Sequence, residues 1–174
     1  KFIFGLIKVL PLIIVSYGVG LGVEFIFCII KGHSIQEGFL VSGMLIPLIV
    51  PVDLPLWMVA VSTIFAVVIG KEVFGGTGMN IVNVALTARA FLFFAYPTKM
   101  SGEIWISGDK SQFVDGVSGA TALGYLADKE KYVNEVFMSK YSLMDSFIGS
   151  IPGSIGETSA LACLIGAFIL IYTG

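Results

Sequence analysis

The sequence predicts an all-α, polytopic membrane protein in which some apolar segments are too short or too broken to cross a bilayer. Of its 174 residues, 56% are hydrophobic and 13% are charged, and the mean hydropathy is +0.95. Soluble domains are about 45–50% apolar and about 25% charged, so this composition indicates a membrane protein. Several of the apolar runs also approach the length of a spanning helix.

Charge and metal-ligand content exclude several classes of function. The formal net charge is −2, so the chain offers no basic surface for a nucleic acid. Two cysteines and one histidine are too few for an iron–sulfur cluster or a structural zinc site. Because the chain starts at Lys1 and stops directly after an apolar run, we expect residues 1–174 to be one membrane domain of a longer protein.

Four apolar runs are candidates for spanning helices, which need about 20 apolar residues. The best are residues 9–30 and residues 56–69, the second of which extends to Phe74. Residues 81–96 and 159–172 are shorter but still predict helices. The chain should therefore cross the membrane several times.

Two further apolar stretches are broken by proline and glycine. The stretch over residues 39–50 is broken and ended by Pro47 and Pro51, and residues 147–155 contain Pro152 between glycines. Both predict half-helices or re-entrant segments, which survive at membrane depth only beside protein or a wet cavity. Paired broken segments are typical of inverted-repeat folds, although chance similarity of short Gly/Pro tracts is the alternative interpretation.

Residues 97–145 differ from the rest because lysines and acidic residues are interleaved there. We expect this segment to be a water-exposed loop outside the cytoplasm, which the resemblance given below places in the periplasm. Good helix formers over residues 118–132 predict a short surface helix within it.

The start of that helix carries the most informative motif. Ser118 suits an N-cap position, which places Thr121 in the first turn at N3. A helix N-terminus binds phosphate well, and the small residues Gly119 and Ala120 would let a bulky group approach the Thr121 hydroxyl. The alternative interpretation is a simple N-cap on a surface helix.

The run Asp-x-x-Ser-Gly-Ala-Thr, which begins at Asp115, resembles the flavin-attachment motif of the Na+-translocating NADH:quinone oxidoreductase and the related Rnf complex. The resemblance implies that Thr121 carries FMN through a phosphoester bond added by a periplasmic flavin transferase. It assigns the neighbouring Asp115, Ser118, Gly119 and Ala120 to the same site.

Two other stretches, residues 70–97 and 156–174, resemble the B subunit of the Na+-pumping enzyme more than the D subunit of Rnf. The resemblance implies a multi-pass protein of the bacterial inner membrane. It would pass electrons through covalent FMN and riboflavin towards ubiquinone, coupled to Na+ movement and together with the other subunits. The family pattern Asn-Pro-Ala-Leu is altered here, because Val84 replaces the proline, so we expect the loss of a helix bend.

No dinucleotide fingerprint is present, so hydride capture from NADH is not expected of this chain. A flavin-free solute channel or transporter with inverted repeats is the alternative function. The broken segments suit it equally well, and only the motif at Thr121 argues against it.

Asn80 and Asn83 lie three residues apart beside Gly75 and Gly76, and helical spacing would place both amides on one face. The resemblance implies that they line the site of a non-covalent riboflavin. A Gly-rich turn with asparagines that cap the next helix is the alternative.

Glu24 lies in the middle of the first apolar run, where a charge is costly unless it faces a cavity or a partner. We consider two roles for it, a contact on a Na+ pathway and neutralisation of Arg89, the one arginine in the sequence. Arg89 itself could pair with an acid in another helix or with a phosphate.

Overall fold

The structure is a computed structural model that describes residues 2–32, 37–101, 105, 121–123, 142–151, 153–156 and 158–174. Within these ranges the regular secondary structure is helical, which confirms the all-α prediction. The chain divides into two compact units, Lys1–Ser101 and Gly102–Gly174, which are described separately. Most of the predicted loop over residues 97–145, including most of its predicted surface helix, lies outside the described residues.

The described part of the first unit contains five helices and one 3-10 turn. Helix α1 packs against α2 and α3, and α4 packs against α2 and α3. The core between them is built from buried aliphatic and aromatic side chains contributed by all four helices. The elements are α1 (Phe2–Lys31), α2 (Phe39–Ile49), α3 (Leu56–Gly70), the 3-10 turn η1 (Glu72–Phe74), α4 (Val84–Ala95) and α5 (Pro97–Met100).

Among the residues that the structure describes, two segments are long and apolar enough to cross a membrane. They are Gly5–Lys31 in α1 and Leu56–Phe74, which combines α3 with η1. Both were predicted, and the architecture is that of a helical membrane protein. Helices α2 and α4 are apolar but shorter, so they fit partial crossings of the bilayer by length.

Helix α2 confirms the half-helix predicted over residues 39–50, but Pro47 lies inside it and does not end it as expected. The helix continues to Ile49 although Pro47 has no N–H to donate to the carbonyl of Gly43. The buried Ser16 hydroxyl of α1 donates to that carbonyl at 2.9 Å instead. A side chain from a neighbouring helix therefore satisfies the acceptor that the proline leaves open.

Helices α1 and α2 approach each other closely at Gly20. The fully buried ring of Phe39 lies against Gly20, where an added Cβ atom would be 1.9 Å from its Cζ. The same ring packs edge-on against Tyr17, with 6.5 Å between the centroids. The absence of a side chain at Gly20 is therefore what admits Phe39 into the contact.

Helix α4 begins at Val84, three residues later than predicted. Asn83 is its N-cap, and the side-chain oxygen accepts a hydrogen bond from the Leu86 N–H at 3.1 Å. Val84 is the first helical residue, a position where proline is tolerated without bending a helix. The expected loss of a bend was therefore wrong, because the position lies at the start of the helix.

The second unit contains α6 (Leu143–Ile148) and α7 (Ala160–Thr173) among its described residues. Ser142 and Ser159 cap them through hydrogen bonds of 3.2 Å to the N–H groups of Met144 and Ala162. Helix α7 confirms the apolar helix predicted there. Of the two alternatives predicted for residues 147–155, the half-helix was wrong, because α6 ends at Ile148 and the following Gly149 turns the chain with a φ of +99°. The re-entrant segment stays a prediction.

Candidate functional site

Thr121 lies directly before two helical residues, Ala122 and Leu123, and it is half-buried. The prediction placed it at N3, inside the first turn, whereas the structure places it outside the helical residues. Thr121 therefore directly precedes helical backbone, and the first N–H groups of a helical segment have no helical partner. Asp115, Ser118, Gly119 and Ala120 lie outside the described residues.

Asn80 and Asn83 border the turn between η1 and α4. This turn needs glycine, because Gly75, Gly76 and Gly78 all have positive φ angles of 90° to 119°. Asn80 precedes α4, so the two amides do not share a helical face, and that premise was wrong. Both asparagines are exposed in this chain.

The side-chain amides of Asn80 and Asn83 differ in the polar groups that are left to contact a ligand. Asn83 uses its carbonyl oxygen to cap α4, so its two N–H groups are the donors that a ligand would meet. Asn80 donates from Nδ2 to the Val82 carbonyl at 3.4 Å, a long hydrogen bond. The capping interpretation is therefore correct for Asn83, and it does not conflict with ligand contact through the amide N–H groups.

The carboxylate of Glu24 is buried, with 2% of the residue exposed, and it forms an ion pair with the ammonium of Lys71. Lys71 is 4% exposed and follows the last residue of α3. The proposed pairing of Glu24 with Arg89 was wrong, since the partner that the structure gives it is Lys71. Arg89 lies half-buried in α4.

A second carboxylate and a second lysine extend this pair. Glu72 is 2% exposed, and its Oε2 atom is buried without a hydrogen-bond donor. The Lys31 ammonium lies 3.7 Å from that Oε2 atom and donates to the backbone carbonyl of Glu72. We call Glu24, Lys71, Glu72 and Lys31 the charge cluster; its four side chains carry two positive and two negative charges.

Sequence reasoning missed Lys71 as the partner of Glu24, and it missed the pair of Glu72 with Lys31. The signal was present, because two adjacent charges in an otherwise apolar spanning segment are as costly as Glu24 itself. What the sequence lacks is the crossing of α1 and α3, which brings position 24 beside position 71.

An ion pair also lies towards the other end of α1. Lys8 donates to Oδ1 of Asp53 at 2.7 Å, and both side chains are about one-third exposed. Lys8 and Lys31 are separated by about 35 Å of helix at 1.5 Å per residue. This span is close to the thickness of a bilayer core of about 30 Å, so the two lysines are far enough apart to reach opposite surfaces of a bilayer.

Comparison with known proteins decides the family. The model of the NQR2, RnfD, RnfE family matches residues 1–174. The chain belongs to this family.

Its relatives include three bacterial proteins, each named as the B subunit of a Na(+)-translocating NADH-quinone reductase. The protein of Chromohalobacter salexigens is 47% identical over 99% of this chain. Those of Stutzerimonas stutzeri and Neisseria meningitidis serogroup B are 49% and 47% identical over 98% and 99% of it. The chain spans about two fifths of the length of these relatives, between 40% and 41%. The predicted resemblance to the B subunit is confirmed.

Proposed function

We propose that this chain is the part of a Na+-translocating NADH-quinone reductase, within its B subunit, that carries flavin and contributes to a cation pathway. Its position would be the bacterial inner membrane, which it crosses several times, beside the other subunits of the complex. The proposal is supported by the names of relatives that match nearly the whole chain at 47% to 49% identity. Electrons would pass through it towards ubiquinone.

Thr121 is proposed to carry covalent FMN, with a flavin transferase as the maturation partner. The residue fits the group because it is only half-buried and stands beside helical backbone. N–H groups at the start of a helix stabilise a phosphate that is bonded to a neighbouring hydroxyl. The Asp115, Ser118, Gly119 and Ala120 positions would surround the attachment point.

Asn80 and Asn83 are proposed to contact riboflavin, with Gly75 and Gly76 allowing the ring to approach the backbone. The exposed amide N–H groups of Asn83 are suitable donors to a flavin ring edge. The bound flavins supply the electron-transfer chemistry, and the protein positions them. Helix α4 has 12 residues and is about 18 Å long, so this site at its start would lie about that far from its other end.

Glu24 is proposed to contact Na+ on its way through the membrane. Hard cations take oxygen ligands, and a buried carboxylate within a spanning helix is a suitable one. The observation that supports this role is burial of the carboxylate against another helix, away from lipid.

The first experiment tests covalent flavin. The protein is separated on a denaturing gel, which removes non-covalent flavin, and viewed under ultraviolet light. We expect a fluorescent band for the native protein and for the control Thr158→Val, and no fluorescence for Thr121→Val at equal protein. Fluorescence retained by Thr121→Val would refute the attachment site. A dark native band from mature complex would favour a flavin-free channel or transporter.

A further inference from the structure

The charge cluster contains more charged groups than a cation contact needs, because the carboxylate of Glu24 is already paired with an ammonium group. Lys71 forms a buried ion pair with it, and both residues are at most 4% exposed. A Na+ ion that approaches Glu24 must therefore compete with an ammonium group that is tethered beside it. The occupant of the site in this structure is a lysine of the protein itself.

Glu72 supplies a second position for that ammonium. Its Oε2 atom is buried without a hydrogen-bond donor, which is costly for a carboxylate in a membrane segment. The Lys31 ammonium faces this atom at 3.7 Å, beyond hydrogen-bond distance. Because Glu72 follows Lys71 directly in the chain and its carboxylate is buried in the same cluster, it is the candidate acceptor for the Lys71 ammonium when a cation displaces that ammonium from Glu24.

Lys31 can balance the charge of such an exchange. Its side chain is 34% exposed, whereas that of Glu72 is 3% exposed. When Na+ enters at Glu24 and Lys71 turns to Glu72, the cluster gains one positive charge. Withdrawal of Lys31 into water restores two positive and two negative charges, so no net charge is added to the low-dielectric interior.

We infer that Lys71 is a tethered competitor for the cation at Glu24, and that Glu72 is the acceptor that receives its ammonium when a cation binds. This inference rests on the proposed function for the cation contact at Glu24 and assigns positioning roles to the two neighbouring residues. A static ion pair between Lys71 and Glu24 would stabilise the fold without any effect on cation affinity, whereas an exchanging Lys71 ammonium changes that affinity.

The two substitutions Lys71→Gln and Glu72→Gln test the inference because they act in opposite directions. Lys71→Gln removes the competing ammonium. It should therefore lower the Na+ concentration for half-maximal stabilisation of the folded protein at least about fivefold, the lower end of typical coupling between sites. Glu72→Gln removes the second acceptor and leaves Lys71 on Glu24, so it should raise that concentration by a similar factor. Lys71→Arg keeps a cation and should lie closer to the native value.

The primary measurement is thermal unfolding of the purified complex in NaCl against equal choline chloride, which needs no turnover. A ligand that binds the folded state raises the unfolding temperature as its concentration exceeds its dissociation constant. Na+-dependent quinone reduction is recorded in parallel. Lys8→Gln, a lysine of the other ion pair, is the matched control and should leave the Na+ dependence unchanged.

Shifts of opposite sign in Lys71→Gln and Glu72→Gln support the inference. Shifts of the same sign, or no shift in either variant, overturn it. If Lys71→Gln fails to accumulate, the double variant Glu24→Gln/Lys71→Gln removes both charges of the buried pair. A double variant that accumulates and is not stabilised by Na+ supports the cation contact at Glu24. A double variant that Na+ stabilises as strongly as the native protein overturns the inference. The two variants could also shift the Na+ dependence of the unfolding temperature in opposite directions while the native complex shows no Na+-dependent quinone reduction. That result would contradict the proposed function and support the cation exchange.

Discussion

The contact between α1 and α2 leads to a prediction with a built-in control, because the glycines of α1 differ in what surrounds them. A Cβ atom at Gly20 would lie 1.9, 2.3 and 2.8 Å from three ring atoms of Phe39, whereas one at Gly22 would have nothing within 4 Å. Restoring ordinary contact at 3.4 Å requires the ring to retreat by roughly 1.5 Å. Phe39 is fully buried, so the ring has no space to do so without moving α2.

Alanine should therefore have opposite effects at the two positions. Overpacking costs about 1–3 kcal/mol. Replacing glycine by alanine in a helix gains about 0.5–1 kcal/mol, a term that both variants share. We expect Gly20→Ala to lower the free energy of unfolding and Gly22→Ala to leave it equal or slightly raised.

The assay is reversible unfolding in mixed micelles, followed by circular dichroism. The double variant Gly20→Ala/Phe39→Leu, which lacks the clashing Cζ atom, should recover part of the loss and so show coupling between the two positions. Equal stability of Gly20→Ala and Gly22→Ala would show that Phe39 does not depend on the missing side chain. The packing argument would then be wrong.

Three further predictions concern other contacts. Ser16→Ala should cost about 1–3 kcal/mol by leaving the Gly43 carbonyl unsatisfied, and adding Pro47→Ala, which restores an N–H donor, should recover most of it; no recovery would contradict the compensation. Leucine at both Asn80 and Asn83 should release non-covalent riboflavin, measured by chromatography of acid extracts, whereas Asn83→Ser preserves the helix cap as a control for folding; unchanged riboflavin content would refute the pocket. If the Glu24 carboxylate contacts the cation, Glu24→Gln should raise the Na+ concentration for half-maximal quinone reduction. If the pair with Lys71 is only structural, the same change should lower the free energy of unfolding by about 3–5 kcal/mol and reduce the yield of protein.

The long helices could be predicted because their signal is local. The apolar runs that form α1, α3 and α7 carry enough consecutive hydrophobic residues to define a helix without tertiary information. The same locality explains the cap at Asn83, which depends on residues three positions apart.

The errors arise where a distant residue decides the local structure. Pro47 is a helix-ending signal in sequence, but the Ser16 hydroxyl from another helix removes its penalty. Arg89 is the evident buried cation in the sequence and therefore the expected partner of Glu24. The packing of α3 against α1 brings Lys71 there instead, and no spacing rule along the chain relates positions 24 and 71.

Mass spectrometry of the peptide that contains Thr121 tests the central proposal most directly. The peptide is taken from mature complex by tryptic cleavage, which leaves residues 111–129 as one fragment. Phosphoester formation joins the hydroxyl to the FMN phosphate with loss of one water, so the peptide should carry the mass of FMN less one water, and fragmentation should assign it to Thr121. An unmodified peptide from mature complex, or a flavin assigned to Ser118, would contradict the account.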